Sequence, residues 1–512
     1  TQGLPADPLS SENAAIITSC SRFPLIIDPQ LQALAWITTR EEPNGLVRCS
    51  LSQKNYLEHV VRALEEGLPL LIENMGESID AVLDNMISRA FTKKGSKLQV
   101  KLGDRDTDLL VLKDADGAPT SIPAFKLYMQ TKLPNPSYIP EIQAQTTLVN
   151  FTVTEKGLED QLLSVVVGKE QPSLLAEQSE LVEQQNGFTI KLKELEDNLL
   201  YLLATAEGDI LSNEELIVSL EVTKATVKEI NAKVIAAQET EKRVAEAFEA
   251  YRPNGNRGSL IYFLMNQLNV IDHMYQFSLG AFRFIFDKAL DKAEPADEVS
   301  ERVKNLQDSI TFTLFSFVTR GLFERHRIIF STQLAIKVLQ GVVTENGEPE
   351  LKMSELPMLV QNPRDSTKEN PLSSWLSDPS AGSVQALSTL DVFTSLPADM
   401  EGSWKRWKEW TQHEQPETEP LPQEWKRLSG FHQLLIIRAL RPDRMTLAVS
   451  AWVSSVLGAK YGVAIGFDLP LSFEDSGPSV PIFFLLSPGV DPAADVRILG
   501  KSLGMTADAG KF

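Results

Sequence analysis

Phe23-Pro24-Leu25-Ile26-Ile27-Asp28 runs directly into Pro29-Gln30-Leu31-Gln32-Ala33-Leu34-Ala35-Trp36-Ile37. The first part is a short apolar run with no polar alternation, which suits a strand buried on both faces. Pro29 cannot extend that strand, and the residues after it follow a helical spacing. About thirty residues on, Leu68-Pro69-Leu70-Leu71-Ile72-Glu73-Asn74 is a second apolar strand that ends in an acid.

Strand, turn, helix, then strand plus acid is the layout of a P-loop nucleotide-binding module. The loop itself is missing. No G-x-x-x-x-G-K-[ST] occurs. Without glycines the backbone cannot wrap its N–H groups around a phosphate, and without the lysine nothing neutralises the β- and γ-oxygens. Asp28 falls near the phosphate position and would repel it. The sequence therefore predicts an NTPase architecture without NTPase chemistry.

The other cleft positions have ordinary explanations. Gln30, Gln32 and Ala33 fall where the Walker A lysine would; the glutamines suit either a nucleotide hydrogen bond or a capped turn. Glu73 and Asn74 replace a Walker B acid pair and either bind a cation or cap a turn. Thr131, with Lys132 beside it, ends the Phe125 to Gln130 strand where a γ-phosphate sensor would stand. Arg320, in Arg320-Gly321-Leu322-Phe323-Glu324-Arg325, either reaches a neighbouring nucleotide or serves a helix. Asp106 and Asp108 read as solvated. His59, His273, His326, His413 and His432 lack metal-ligand spacing, and no G-x-S-x-G elbow occurs.

Composition sets limits on partners. The 512 residues predict two to four domains, and an apolar fraction of 43% allows sizeable cores. A net charge of −20 disfavours nucleic acid and anionic membrane as direct partners and fits a cytosolic protein. Cys20 and Cys49 read as reduced core residues. No apolar run reaches the ~20 residues of a membrane span, and no signal peptide precedes the fold. The start at Thr1 reads as that of a piece excised from something larger.

Along residues 1 to 154, strand-like runs alternate with helices, for instance Asn55 to Glu66 and Asp80 to Ile87. The runs are Ala14 to Thr18, Pro24 to Asp28, Leu46 to Leu51, Leu68 to Glu73, Leu98 to Leu102, Leu109 to Leu112, Ala124 to Thr131 and Thr147 to Thr152. They predict a parallel three-layer α/β sandwich, with antiparallel strands inserted around the turn Asp114-Ala115-Asp116-Gly117. From Glu155 the strand signal stops. Leu181, Phe188, Leu192, Leu195, Leu199 and Leu202 follow 3-4 spacing, as do Leu216, Leu220, Val227, Ile230, Val234, Val244 and Phe248 after a break near Gly208. Ser212 and Glu215 offer a capping box. Two such seams joined by a short loop predict an antiparallel coiled-coil hairpin about 45 Å long. Two ordinary bundle helices are the alternative.

Pro253-Asn254-Gly255 is predicted to end the hairpin. Helical patterns over Ser259 to Asn269, Tyr275 to Ala293, Ser300 to Phe317 and Arg327 to Leu339 suit a small lid. Trp404, Trp407 and Trp410 lie on one side of a helix, as core or as a binding stripe. Helices follow over Trp425 to Leu440 and Asp443 to Leu457. Val480 to Leu486 reads as another buried strand, with a helix from Ala493 to Gly500.

These residues resemble a known family. Leu4-Pro5-Ala6-Asp7, Ser11-Glu12-Asn13, Pro24 to Gln30, Trp36, Thr131-Lys132-Leu133-Pro134-Asn135-Pro136 and Leu148 to Thr154 are similar to the fifth AAA module of dynein heavy chains. So are Gly157-Leu158-Glu159-Asp160-Gln161-Leu162-Leu163, Tyr251-Arg252-Pro253, Arg320 to Glu324 and Arg441-Pro442-Asp443-Arg444. Leu486-Ser487-Pro488-Gly489-Val490-Asp491-Pro492 resembles the entry to the sixth module. Gln184 to Phe188 and Met274 to Leu279 are most similar to axonemal outer-arm chains of the beta type.

The resemblance implies a fold of α/β plus α, with residues 1–171 as a degenerate AAA+ large subdomain and 172–252 as the coiled-coil strut (buttress). It further implies residues 253–345 as the small helical lid, 346–478 as a helical and loop-rich linker, and 479–512 as the start of the next module. It implies a fragment of a microtubule motor with no cofactor of its own, Mg-ATP being bound in other modules. The implied partners are the other AAA modules and stalk of the same chain, microtubules reached through that stalk, and other dynein heavy, intermediate and light chains. Nucleic acid and membrane are not among them. The implied location is the cytoskeleton of the cytoplasm and the axoneme of cilia and flagella. Residues 174–251 hold 16 acidic and 7 basic residues, so this hairpin would itself be repelled by acidic tubulin. Two functions are carried forward: a mechanical relay without catalysis, and a regulatory module with weak ATP occupancy.

Overall fold

The computed structural model describes residues 3–94, 97–113, 119–205, 214–341, 351–365, 369–462, 468–477, 481–484, 486 and 488–505. The chain forms two compact units, Thr1–Ser259 with Glu294–Gln307, and Leu260–Ala293 with Asp308–Phe512.

In the first unit, α1 (Pro8–Ser19), β1 (Phe23–Ile27), α2 (Gln32–Glu41), β2 (Val47–Ser50), α3 (Tyr56–Glu66) and β3 (Leu70–Glu73) alternate along the chain. After α4 (Asp84–Ile87) come the antiparallel strands β4 (Thr92–Lys94), β5 (Lys97–Leu102) and β6 (Arg105–Leu109). A second antiparallel pair follows, β7 (Val111–Lys113) with β8 (Pro119–Pro123). Then β9 (Leu127–Thr131), α5 (Pro140–Gln145) and β10 (Thr146–Asn150) complete the sheet. The turn Asp114 to Gly117 lies outside the described residues, but the strands flanking it pair antiparallel as expected.

Five strands form one parallel sheet in the order β10-β1-β9-β3-β2. All five residues of β1 are buried, as its unbroken apolar run requires. Successive side chains serve opposite faces. Leu25, Leu70, Ile72 and Met129 pack with Val60, Ala63 and Leu64 of α3. Ile26, Leu71 and Tyr128 pack with Ala33, Trp36 and Ile37 of α2 and with Ala14 and Ile17 of α1. Helices thus cover both faces, giving the expected α/β sandwich.

Ala14 to Thr18 is not a strand. It lies inside α1, whose N-terminus is set by Asp7 accepting from Ser10 N with Pro8 at the first helical position. A run this short cannot by itself separate a strand from a buried helix segment.

From α6 (Glu155–Glu170) onward the chain is helical: α7 (Pro172–Thr205) has 34 residues and α8 (Glu214–Gln267) has 54. Among the predicted seam residues, Ile230, Val244 and Phe248 are buried, and Leu181, Phe188, Leu192, Leu195 and Val227 are half-buried. The side chains of Leu199, Leu202, Leu216, Leu220 and Val234, the turn near Gly208 and the Ser212 cap lie outside the described residues. Pro253-Asn254-Gly255 does not stop the helix, because Pro253 sits inside α8. The cause is packing on α6: a Cβ built on Gly255 would lie 2.8 Å from Glu159 O, so only glycine allows this approach.

The second unit holds α9 (Leu279–Lys292), the part of α10 (Val299–Gly321) that follows Gln307, and α11 (Glu324–Gln340). Beyond it the chain is built of short helices. Trp407 and Trp410 are buried core residues and Trp404 is exposed. Trp407 and Trp425 both donate their indole N–H to Asp399 Oδ2, at 3.0 and 2.9 Å. The Trp425 to Leu440 segment is broken after Leu428, where Ser429 caps a new helix, Gly430–Leu440. Val480 to Leu486 forms no strand among the described residues, and Phe483 is 84% exposed. An apolar run becomes a strand only when a neighbour completes its ladder, and no strand element is described beyond Asn150.

Candidate functional site

In an open α/β sheet, ligands bind beyond the carboxyl ends of the strands where the strand order reverses. Here β1 is that point: the chain leaves it towards β2 at one edge, and β10 lies on its other side. The register aligns Ile27 with both Thr131 and Asn150, so the ends of β1, β9 and β10 form one rim. Asp28, Gln30, Asn74 and Thr131 all join this rim through the contacts below.

Asp28 is fully buried. Its Oδ1 accepts the N–H of Gln32 and its Oδ2 that of Leu34, each at 2.9 Å. Those are the first-turn donors of α2, which a bound phosphate would use. Leu31, before the helix, holds a left-handed φ of 63°, a conformation in which a phosphate loop would place glycine. Asp28 does more than repel phosphate: its carboxylate takes the phosphate's donors. Burial pushes its pKa up to about 6, against the pull of the backbone N–H groups of Leu34, Gln32, Ala33 and Leu31.

Most of the remaining candidates are also engaged. Gln32 Nε2 donates to Gln161 Oε1 at 2.8 Å, and Gln161 Nε2 donates to Asp7 Oδ1 at 2.7 Å. This chain of buried groups ties α2 to α6 and to the start of α1. Gln30 Oε1 accepts Val153 N at 3.4 Å. Ala33 is buried against the sheet. Glu73 pairs with Arg48, and the Asn74 N–H donates to Gln130 Oε1 at 3.0 Å. Thr131 Oγ1 donates to Met75 O at 2.8 Å and accepts Leu133 N at 3.2 Å. Lys132 is exposed. In the second unit, Arg320 binds Asp475 and Ser472, and Lys288 joins it on Asp475. Asp108 pairs with Lys97.

Sequence reasoning missed Gln130, Asp7 and Gln161. Gln130 bridges three strand ends, since its Nε2 donates to Asp28 O at 3.1 Å and its Oε1 accepts from Asn74. Its signal was a lone amide in the otherwise apolar strand end Leu127-Tyr128-Met129. Asp7 and Gln161 lie in stretches already matched to the family, but 154 positions separate them, and only the fold joins them. Among the described residues no group of three or more His, Cys, Asp or Glu is arranged to hold a metal, and no helix is long and apolar enough to cross a membrane. Cys20 and Cys49 are free thiols.

The family model of the ATP-binding dynein motor region matches residues 1–230. The dynein beta chain of the flagellar outer arm from Chlamydomonas reinhardtii is 46% identical over 526 residues, across all of this chain and 11% of that protein. The ciliary dynein beta chain of Heliocidaris crassispina and the human dynein axonemal heavy chain 9 are each 45% identical over 511 residues, with the same coverage. The chain thus spans 11% of the length of these relatives. It belongs to the dynein heavy-chain family, in the motor region.

Proposed function

We propose that this chain is a non-hydrolysing AAA module of an axonemal dynein motor. It relays ring motion, driven by ATP hydrolysis in other modules, to the microtubule-binding stalk. The observation that supports this most is Asp28, whose buried carboxylate accepts the two α2 N–H groups a phosphate would need. The strand end carries Glu73-Asn74 in place of two acids, and Glu73 pairs with Arg48.

In this reading, residues 1–171 are the large subdomain of the fifth module and 253–345 its lid. Residues 346–478 link to 479–512, where the sixth module starts. Residues 172–252 are the strut, an antiparallel hairpin of α7 with the first part of α8. The half-buried or buried seam residues on otherwise charged helices support that pairing. Partners are the neighbouring modules and stalk of the same heavy chain, other dynein subunits, and microtubules through the stalk. The site of action is the axoneme of a cilium or flagellum, as the relatives' names suggest.

Calorimetric titration with Mg-ATP tests the reading. The expected result is no binding stronger than millimolar. A micromolar site in this module would overturn the relay and favour regulatory nucleotide occupancy.

A further inference from the structure

Tyr251-Arg252-Pro253-Asn254-Gly255 takes no part in the cleft, and its composition marks a stop. In the structure it is the place where α8 crosses α6. Backbone meets backbone there, because a Cβ on Gly255 would stand 2.8 Å from Glu159 O and 3.2 Å from Leu163 N. Ser259 Oγ donates to Glu155 O at 2.7 Å, one turn further along each helix.

Arg252 closes the crossing from the side. Its Nη1 donates to Glu159 Oε1 at 2.8 Å and to Asp160 Oδ1 at 3.0 Å. Its Nε and Nη2 form a two-point fork on Glu249, at 2.6 and 2.7 Å. Asn256 Nδ2 reaches the other oxygen of Glu159 at 3.0 Å. Pro253 removes one hydrogen bond from α8 at this point, and both amide atoms of the buried Asn254 have no partner. Contacts with α6 hold the helix together across its weakest turn.

The far side of α6 faces the cleft. Gln161 lies between Asp7 and Gln32, and the Thr154 hydroxyl caps the helix on Gly157 N at 3.1 Å. At its other end Glu170 is gripped by Arg302 through two bonds of 2.9 and 2.8 Å. Only Gln171 separates α6 from α7. One helix is therefore fastened to the degenerate cleft and to the roots of both long helices.

We propose that Arg252 and Gly255 form a joint that locks α8 onto α6, so that the cleft edge and the long-helix roots move as one body. Arg252 is then a positioning residue for the relay, an inference that rests on the function proposed above. A joint of this kind transmits motion because packed helices have discrete settings and do not deform continuously.

The test uses the intact motor carrying Arg252→Met, Arg252→Lys or Gly255→Ala. Hydrogen exchange is followed in peptides from α6 and from residues 245–262, and ATPase turnover is measured with and without microtubules. In Arg252→Met and Gly255→Ala, exchange should rise about tenfold at the crossing. Basal turnover should stay near wild type, while microtubule stimulation should fall severalfold. Arg252→Lys keeps the charge but loses the fork, so it should fall between wild type and Arg252→Met; it also serves if the harsher variants fail to fold. Unchanged exchange in all three would overturn the joint itself. Raised exchange with intact microtubule stimulation would leave the joint standing and remove its part in the relay.

Discussion

Replacing Asp28 by Asn keeps the shape of the side chain and removes its charge, but leaves one acceptor oxygen where the two α2 N–H groups had two, so one of them faces an amide N–H. Burial raises the Asp28 pKa from 3.8 to about 6. At ~1.4 kcal/mol per unit, the ionised side chain costs the folded state ~3 kcal/mol at neutral pH. The sign follows from linkage. A folded-state pKa above the unfolded value means the folded state holds the proton more tightly. The contribution of Asp28 is then fully present below about pH 4 and lost as pH rises through about 6. Asp28→Asn should thus cost ~1–3 kcal/mol near pH 4, where one α2 N–H loses its acceptor, and its stability relative to wild type should improve by ~3 kcal/mol by about pH 7.5. Hydrogen exchange in the α2 peptide Gln32–Glu41, compared between variant and wild type at each pH, measures this locally and cancels the intrinsic pH dependence of exchange. A difference in protection that does not change with pH would refute the reasoning. So would a difference that moves against the variant as pH rises, which would mean that the N–H groups outweigh burial and make the charge favourable.

Two further outcomes follow from the helices and the ion pairs. If α7 and α8 fold back on each other, Leu192 and Val227 stand equally far from Thr205 and Glu214, so Leu192→Cys with Val227→Cys should form an intramolecular disulfide; absence of a crosslink here and at the adjacent registers would refute the hairpin. In the second unit, burial raises the Asp475 pKa, but Lys288 and Arg320 prevail and hold it below 3.8. Its stabilisation is therefore present above about pH 4 and lost as pH falls through its folded pKa. Asp475→Asn should destabilise this unit by ~1–3 kcal/mol at about pH 7, seen as a lower thermal midpoint; an unchanged midpoint at that pH would contradict it.

Local signals were enough for the sheet and its missing loop. Apolar runs such as Leu25-Ile26-Ile27 and Leu70-Leu71-Ile72 have no polar alternation, so their strands had to be buried on both faces. The absent lysine and glycines are visible in sequence as well. What was hidden depends on contacts between distant residues. Asp28 reads as a charge that repels phosphate, and only the fold shows that it accepts the α2 donors in the phosphate's place. Pro253-Asn254-Gly255 looks like a terminator because composition reports local preference, whereas contact with Glu159 and Leu163 decides that the helix continues. Ala14 to Thr18 failed for a local reason instead: Asp7 and Pro8 start a helix, and a short apolar run does not by itself separate a strand from a helix face on the sheet.

The relay is tested most directly in the intact motor carrying Leu195→Pro. Leu195 is half-buried within α7, away from the cleft residues. Proline there removes a helix hydrogen bond and clashes with the preceding turn, costing ~3 kcal/mol or more. The measurement is ATPase turnover with and without microtubules, together with gliding. The account predicts unchanged basal turnover, with loss of microtubule-stimulated turnover and of gliding. An unchanged microtubule-stimulated rate would contradict it.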